Sequence, residues 1–180
     1  MTVFFGLVLL VLACAVVLLF AMLGELASRV PTQDQTPSKQ VEPIENAKLG
    51  AEPLEWPAEL AHVPARDASV VLVLSSSCAS CEKIAAQVPA ALDRGVDLTV
   101  VVSCGIRERG EDFAKRHGFH RTHTYIDHGG TWSTQKFGVD SSPAALLFRR
   151  GRLQTALLFW DLDSVLAAVG RVDNEIQEVS

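Results

Sequence analysis

The chain has little surplus charge, few cysteines, and no internal repeat or low-complexity tract. Sixteen Lys and Arg stand against 21 Asp and Glu, a net charge of −5 with His neutral. The basic stripe that a nucleic-acid binder needs is therefore missing. Four cysteines in 180 residues are too few for a small fold stapled by disulfides. With 48% hydrophobic and 21% charged residues, the chain has enough apolar material for a packed core and too little charge for disorder. The length suits about one domain.

Charge is absent altogether from Thr2 to Gly24. A bilayer core of about 30 Å is crossed by roughly 20 helical residues, so residues 1–24 are expected to form one transmembrane helix that anchors the chain. The run exceeds the about 7–15 apolar residues of a signal peptide and has no Lys or Arg before it; a cleaved signal is the alternative. Cys14 lies mid-span as a small apolar residue. Arg29 and Lys39 follow the span, and by charge alone they lean towards a cytoplasmic C-terminus. Six of the eight prolines (Pro31, Pro37, Pro43, Pro53, Pro57 and Pro64) fall within residues 25–65. Proline at that density opposes helix and central strand alike, so a stalk is expected there, with Leu54, Trp56 and Leu60 at the edge of a domain spanning 66–180.

That domain alternates strand and helix patterns. Ser69–Leu74 and Asp97–Val102 are nearly continuous apolar runs, as strands buried on both faces should be. Ser80–Leu92 and Glu108–His117 follow as helices, the second ended by Gly118. Thr122–Ile126 fits a short strand. Ala144–Phe148 and Leu153–Phe159 flank Arg149-Arg150-Gly151-Arg152 and fit a hairpin. Asp161 can cap a last helix with Leu162, Val165, Leu166 and Val169 on its apolar face. The expected class is α/β with a mixed sheet.

Cys78-Ala79-Ser80-Cys81 stands between a buried strand and a helix. Unpaired N–H groups at a helix start stabilise a thiolate. Cys78, at the tip, is the expected nucleophile, and Cys81, one turn in, the thiol that resolves a mixed disulfide. A CxxC can also bind zinc, but such sites draw on a second CxxC or a His pair, and a second CxxC is missing here. Metal binding and an inert disulfide remain the alternatives.

Strand, CxxC, helix, parallel strand, helix, then Ser142-Pro143 opening a hairpin before a final helix: in this order the chain resembles the thioredoxin superfamily over about 105 residues. The resemblance implies a three-layer thioredoxin-like fold around a central mixed sheet. It also implies a cis peptide bond before Pro143 and a client groove shaped by Ser142 and Pro143. Phe137-Gly138-Val139 is similar to the aromatic-Gly-Val that often precedes that proline. With its anchor and Leu74-Ser75-Ser76-Ser77-Cys78, the chain is most similar to membrane-anchored TlpA-like proteins and to MauD, the thioredoxin-like accessory protein of methylamine utilisation. Such proteins exchange disulfides with extracytoplasmic clients, which implies an outward-facing domain, against the lean of Arg29 and Lys39. No organic cofactor or metal is implied. The chain departs from ordinary thioredoxin at Leu72, where a buried acid is usual, at Ser77 for Trp, at Ala79-Ser80 for Gly-Pro, and at Pro89, later than the usual helix proline. These departures point to a narrower client range.

Other residues carry weaker signals. Cys104 follows the second strand and is either a third thiol near the pair or a buried small residue. His117, His120, His123 and His128 are either a solvated loop or, with the cysteines, ligands of a copper- or zinc-handling chaperone. Trp132 either packs on the sheet or lines the groove. Glu82 and Lys83 either tune the thiolate or are plain helix surface. The arginines at 149–152 fit a hairpin tip, with anionic lipid as a remote alternative.

Overall fold

The computed structural model describes Phe4 and residues 41–178, with side chains described as far as residue 170. The expected span over 1–24, with Cys14, otherwise lies outside the described residues. Among the described residues no helix is long and apolar enough to cross a membrane.

Six strands form one mixed sheet: β1 Val41–Pro43, β2 Ser69–Ser75, β3 Thr99–Cys104, β4 His123–His128, β5 Ala144–Arg149 and β6 Arg152–Phe159. Their order is β1-β6-β5-β2-β3-β4. β2, β3 and β4 run parallel, while β5, β6 and β1 add antiparallel pairs. The helices are α1 Ala79–Ala85, α2 Val88–Asp93, α3 Arg107–Arg116, α4 Ser133–Phe137 and α5 Leu162–Glu178.

The apolar runs become central strands because both of their faces are covered. Side chains alternate across a strand. Leu72, Leu74, Val100, Val102, Ala145 and Leu147 face a core shared with α1, α2, α3 and α5. Val71, Val73, Val101, Ala144, Leu146 and Phe148 face a second core. That core is closed by Trp132 and Phe137 at α4 and by Leu60 and Val63 of the chain before β2. The three layers expected from the resemblance are present.

The proline density over 25–65 predicts a linker, yet residues 41–65 pack onto the sheet. The prolines sit where they cost little. Pro43 ends the edge strand β1, and Pro57 precedes the short 3-10 turn Ala58–Leu60, places that tolerate a missing N–H. Ile44 N–H donates to Ala156 O (2.9 Å), Lys48 N–H to Phe137 O (2.8 Å) and Gly50 N–H to Leu153 O (2.7 Å). Trp56 stacks edge-on against Trp132 and Phe148, while Leu54 is fully exposed.

The expected helix Ser80–Leu92 is two helices. Pro89 has no N–H for the carbonyl four residues back, so the chain kinks before it. Gln87 N–H turns to Ile84 O (2.9 Å), and the Gln87 side chain accepts from Leu162 N–H at the start of α5 (3.2 Å). Asp161 caps α5 as expected, accepting from Ser164 N–H at 2.9 Å. The hairpin turns through Arg150 and Gly151, both at positive φ, the geometry of a two-residue turn.

A chain beginning at residue 38 is expected to unfold cooperatively in denaturant, and one beginning at residue 66 to lack a cooperative transition. Leu60→Ala should cost about 2–5 kcal/mol and Leu54→Ala no more than about 0.5 kcal/mol. Equal, small effects of both substitutions would return residues 41–65 to the role of linker.

Candidate active site

β2 delivers the chain to the site. Its last residue is level with Ser103 of β3, and a serine turn follows. Ser76 N–H donates to Ser103 O (3.0 Å), Cys78 N–H to Ser75 O (3.3 Å), and the Ser75 and Ser77 hydroxyls share a hydrogen bond (3.2 Å). Short polar side chains that bond their own backbone favour such turns over strand or helix. Cys78 is then the N-cap of α1, in extended conformation, and its Sγ accepts the Cys81 N–H at 3.3 Å.

The two thiols differ sharply. Cys78 is half-buried. Burial alone would push its thiol up. Hydrogen bonds from the Cys81 and Ser80 side chains and from their backbone N–H groups outweigh burial and hold it below the ordinary 9.0. The Ser80 Oγ lies 2.9 Å from the sulfur. Cys81 is fully buried in the first core. Burial first, then the neighbouring Cys78, push its thiol up to about 12. The Ser142 side chain and the Ser75 N–H, the latter 3.3 Å from the sulfur, oppose that rise.

β5 brings in the second part. It pairs antiparallel with β2, Val73 opposite Ala144, so Ser142 and Pro143 arrive beside the thiols. The Ser142–Pro143 peptide is cis. Cys78 Sγ lies 3.7 Å from Ser142 O. Cys78, Cys81, Ser142 and Pro143 therefore stand together.

Cys104 is buried at the end of β3. Its sulfur packs beneath α3, where a Cβ on Gly110 would come within 2.8 Å of it and within 2.9 Å of the Ile126 side chain. Burial pushes this thiol up too, with the Arg107 charge acting against it. The four histidines disperse. His117 at the end of α3 bonds Glu82 (2.6 Å), His128 bonds Gly105 O (3.1 Å), His123 stacks on His62, and His120 is exposed. Among the described residues no group of three or more His, Cys, Asp or Glu side chains could share a metal ion.

Trp132 is buried among Trp56, Phe137 and Phe148, so it packs on the sheet and does not line a groove. Glu82 is engaged by Arg116 and His117, so it ties α1 to the end of α3. Arg150 and Arg152 pair with Asp67 and Glu52. Sequence reasoning passes over Ser80 as a partner of the thiolate, although its place two residues after Cys78, in the first turn of the helix, is the signal that finds it.

No family model matches the chain, and no curated protein matches it. Two solved structures share its architecture. A thioredoxin-like protein in its oxidized form, solved in solution, is 18% identical with a TM-score of 0.51, over 76% of this chain and 96% of that one. A DsbF homologue from Corynebacterium diphtheriae is 17% identical with a TM-score of 0.50, over 76% and 95%. The chain thus has an α/β thioredoxin-like fold with a six-stranded mixed sheet.

Among Cys78, Cys81 and Cys104, iodoacetamide at pH 7 should label Cys78, with Cys81 and Cys104 labelled only after unfolding; mass spectrometry of the peptides checks it. Ser80→Ala removes one hydrogen bond to the thiolate, a charge-assisted bond worth about 1.5–3 kcal/mol. The labelling rate of Cys78 at pH 7 should then fall, because the thiolate fraction drops by more than the remaining thiolate gains in nucleophilicity.

Proposed function

We propose that the chain is a membrane-tethered thiol–disulfide oxidoreductase that exchanges disulfides with client proteins through Cys78 and Cys81. The observation that carries this reading is the asymmetry of the pair: a half-buried sulfur held below its ordinary pKa beside a buried one pushed up to about 12. The thiolate is the attacking species in exchange. A static disulfide or a metal site has no need of one activated sulfur and one guarded sulfur.

In the reductive direction, the Cys78 thiolate attacks one sulfur of a client disulfide. A mixed disulfide forms and the client's other sulfur leaves as a thiolate. Cys81 then gives up its proton and attacks the Cys78 sulfur. The client leaves with both thiols reduced, and Cys78 and Cys81 are joined. The oxidative direction is the same sequence reversed. Ser142 and Pro143, next to Cys78, form the wall against which a client segment lies.

The uncharged run Thr2–Gly24 supports the tether. An extracytoplasmic domain, with clients among extracytoplasmic enzymes as for TlpA-like and MauD-like proteins, fits the Leu-Ser-x-x-Cys approach to the site and its order of elements.

Cys81→Ser should trap a client as a mixed disulfide on Cys78 that dithiothreitol releases, and Cys78→Ser should trap nothing. Titration against glutathione buffers with thiol counting then gives the direction. A potential near or below about −270 mV marks a reductant, and one near −120 mV an oxidant. A pair that forms no disulfide at any poise would end the redox reading.

A further inference from the structure

The end of the sheet opposite the thiols carries a second polar group. Thr99 and His123 open the neighbouring strands β3 and β4 and are level with each other. His62, just after the turn Ala58–Leu60, reaches both. Its Nε2 lies 2.7 Å from Thr99 Oγ1. Its ring lies on the His123 ring with centroids 3.9 Å apart and planes 23° from parallel. The backbone carbonyl of Glu59 acts on the His62 ring in favour of its protonated form. Thr99 is buried.

In the neutral tautomer that leaves Nε2 unprotonated, Nε2 accepts the Thr99 hydroxyl hydrogen. A proton on Nε2 would turn an acceptor into a donor, displace the hydroxyl hydrogen, and set a cation against the second imidazole. Leu60 and Val63, on either side of His62, are both fully buried in the second core. The contact therefore holds one cover of the sheet in place.

We propose that His62 and His123 form an acid-released clasp that fastens residues 58–66 to the starts of β3 and β4. Burial first, then the charges of His123 and Arg66, hold His62 below its ordinary 6.5, and only Asp97 and the Glu59 carbonyl oppose them. Asp97 is itself paired with Arg66. The remaining titratable neighbours are Tyr125, on the same face of β4 as His123, and the Glu59 carboxylate, which acts on Tyr125. The closed clasp binds fewer protons than the open one. Its stability is whole above pH 6.5 and declines as pH falls from there towards the folded-state value. Acid thus loosens the segment whose Trp56 supports α4, and α4 leads into Ser142-Pro143.

The test is hydrogen exchange of the full chain in detergent at pH 7.5 and pH 5.0, corrected for intrinsic rates, with the carbon-13 shift of the His62 ring followed over the same range. The population opened at residues 58–66 should rise at pH 5.0, by at most about thirtyfold for a ring that titrates at 6.5 when open, while β5 and β6 stay protected. His62 should titrate below 6.5. His62→Gln, which keeps an acceptor for Thr99, should abolish the rise, and His123→Phe, which keeps an aromatic ring for the stack but removes one charge, should lessen it. Unchanged protection of 58–66 in the unaltered chain overturns the clasp, as does an ordinary titration of His62 or an undiminished rise in the His62→Gln variant. The unaltered chain decides the matter even if a variant fails to fold.

Discussion

Everything in this molecule hangs on β2 being buried on both faces. Val71 and Val73 point one way, Leu72 and Leu74 the other, and all four are shielded from solvent. Such a strand is stable only between two apolar covers. On one side α1, α2, α3 and α5 provide the cover. On the other, the helix available is the five-residue α4, too short to cover the sheet alone. The chain before β2 completes that face with Leu60, Val63 and Trp56. This is why a segment so rich in proline is folded: its extended course suits proline, and its few apolar side chains have a surface to meet.

The same strand sets the chemistry. It ends at the sheet edge, where the serine turn reverses the chain into α1. Cys78 falls on the cap and Cys81 on the inward face of the helix. One sulfur meets N–H and hydroxyl donors, and the other meets Ile84, Leu72 and the rest of the first core. Two cysteines three positions apart lie on one side of a helix, yet these differ in environment because Cys78 sits on the cap and Cys81 one turn in, against the core. The antiparallel pairing of β5 with β2 brings Ser142 and Pro143 to the same place without a further element.

Where local physics decides, the sequence is readable. The apolar runs of β2 and β3, the Arg150-Gly151 turn, the Asp161 cap and the Cys78–Cys81 junction all announce themselves within a few residues. Where a distant partner decides, they do not. Leu60 is expected only at the domain's edge and Val63 not at all, because their burial depends on Val71, Val73 and Val101 arriving from elsewhere. α4 is a five-residue turn of polar sequence, fixed by Asp127, whose carboxylate accepts from the Trp132 and Ser133 N–H groups. Nothing near Asp127 in the chain distinguishes it from an acidic loop residue. The four histidines mislead for the same reason: close in sequence, they point to different neighbours in space. Pro89 is the opposite case, a local signal for the break between α1 and α2 that the continuous apolar pattern of Ser80–Leu92 hides.

Leu72 raises a question about the second step of the proposed exchange. An acid at that position would take the proton from the inner thiol, and a leucine cannot. The pair supplies part of the answer itself. After burial, the largest influence holding the proton on Cys81 is the hydrogen bond that its thiol makes to the Cys78 sulfur, and the charge of that sulfur adds to it. Both vanish when Cys78 enters a mixed disulfide, because its sulfur is then neutral. The Ser142 side chain and the Ser75 N–H, which favour the Cys81 thiolate, remain. The inner thiol is therefore hardest to deprotonate before attack and easier after it. Order is thereby imposed on the two steps without a buried carboxylate.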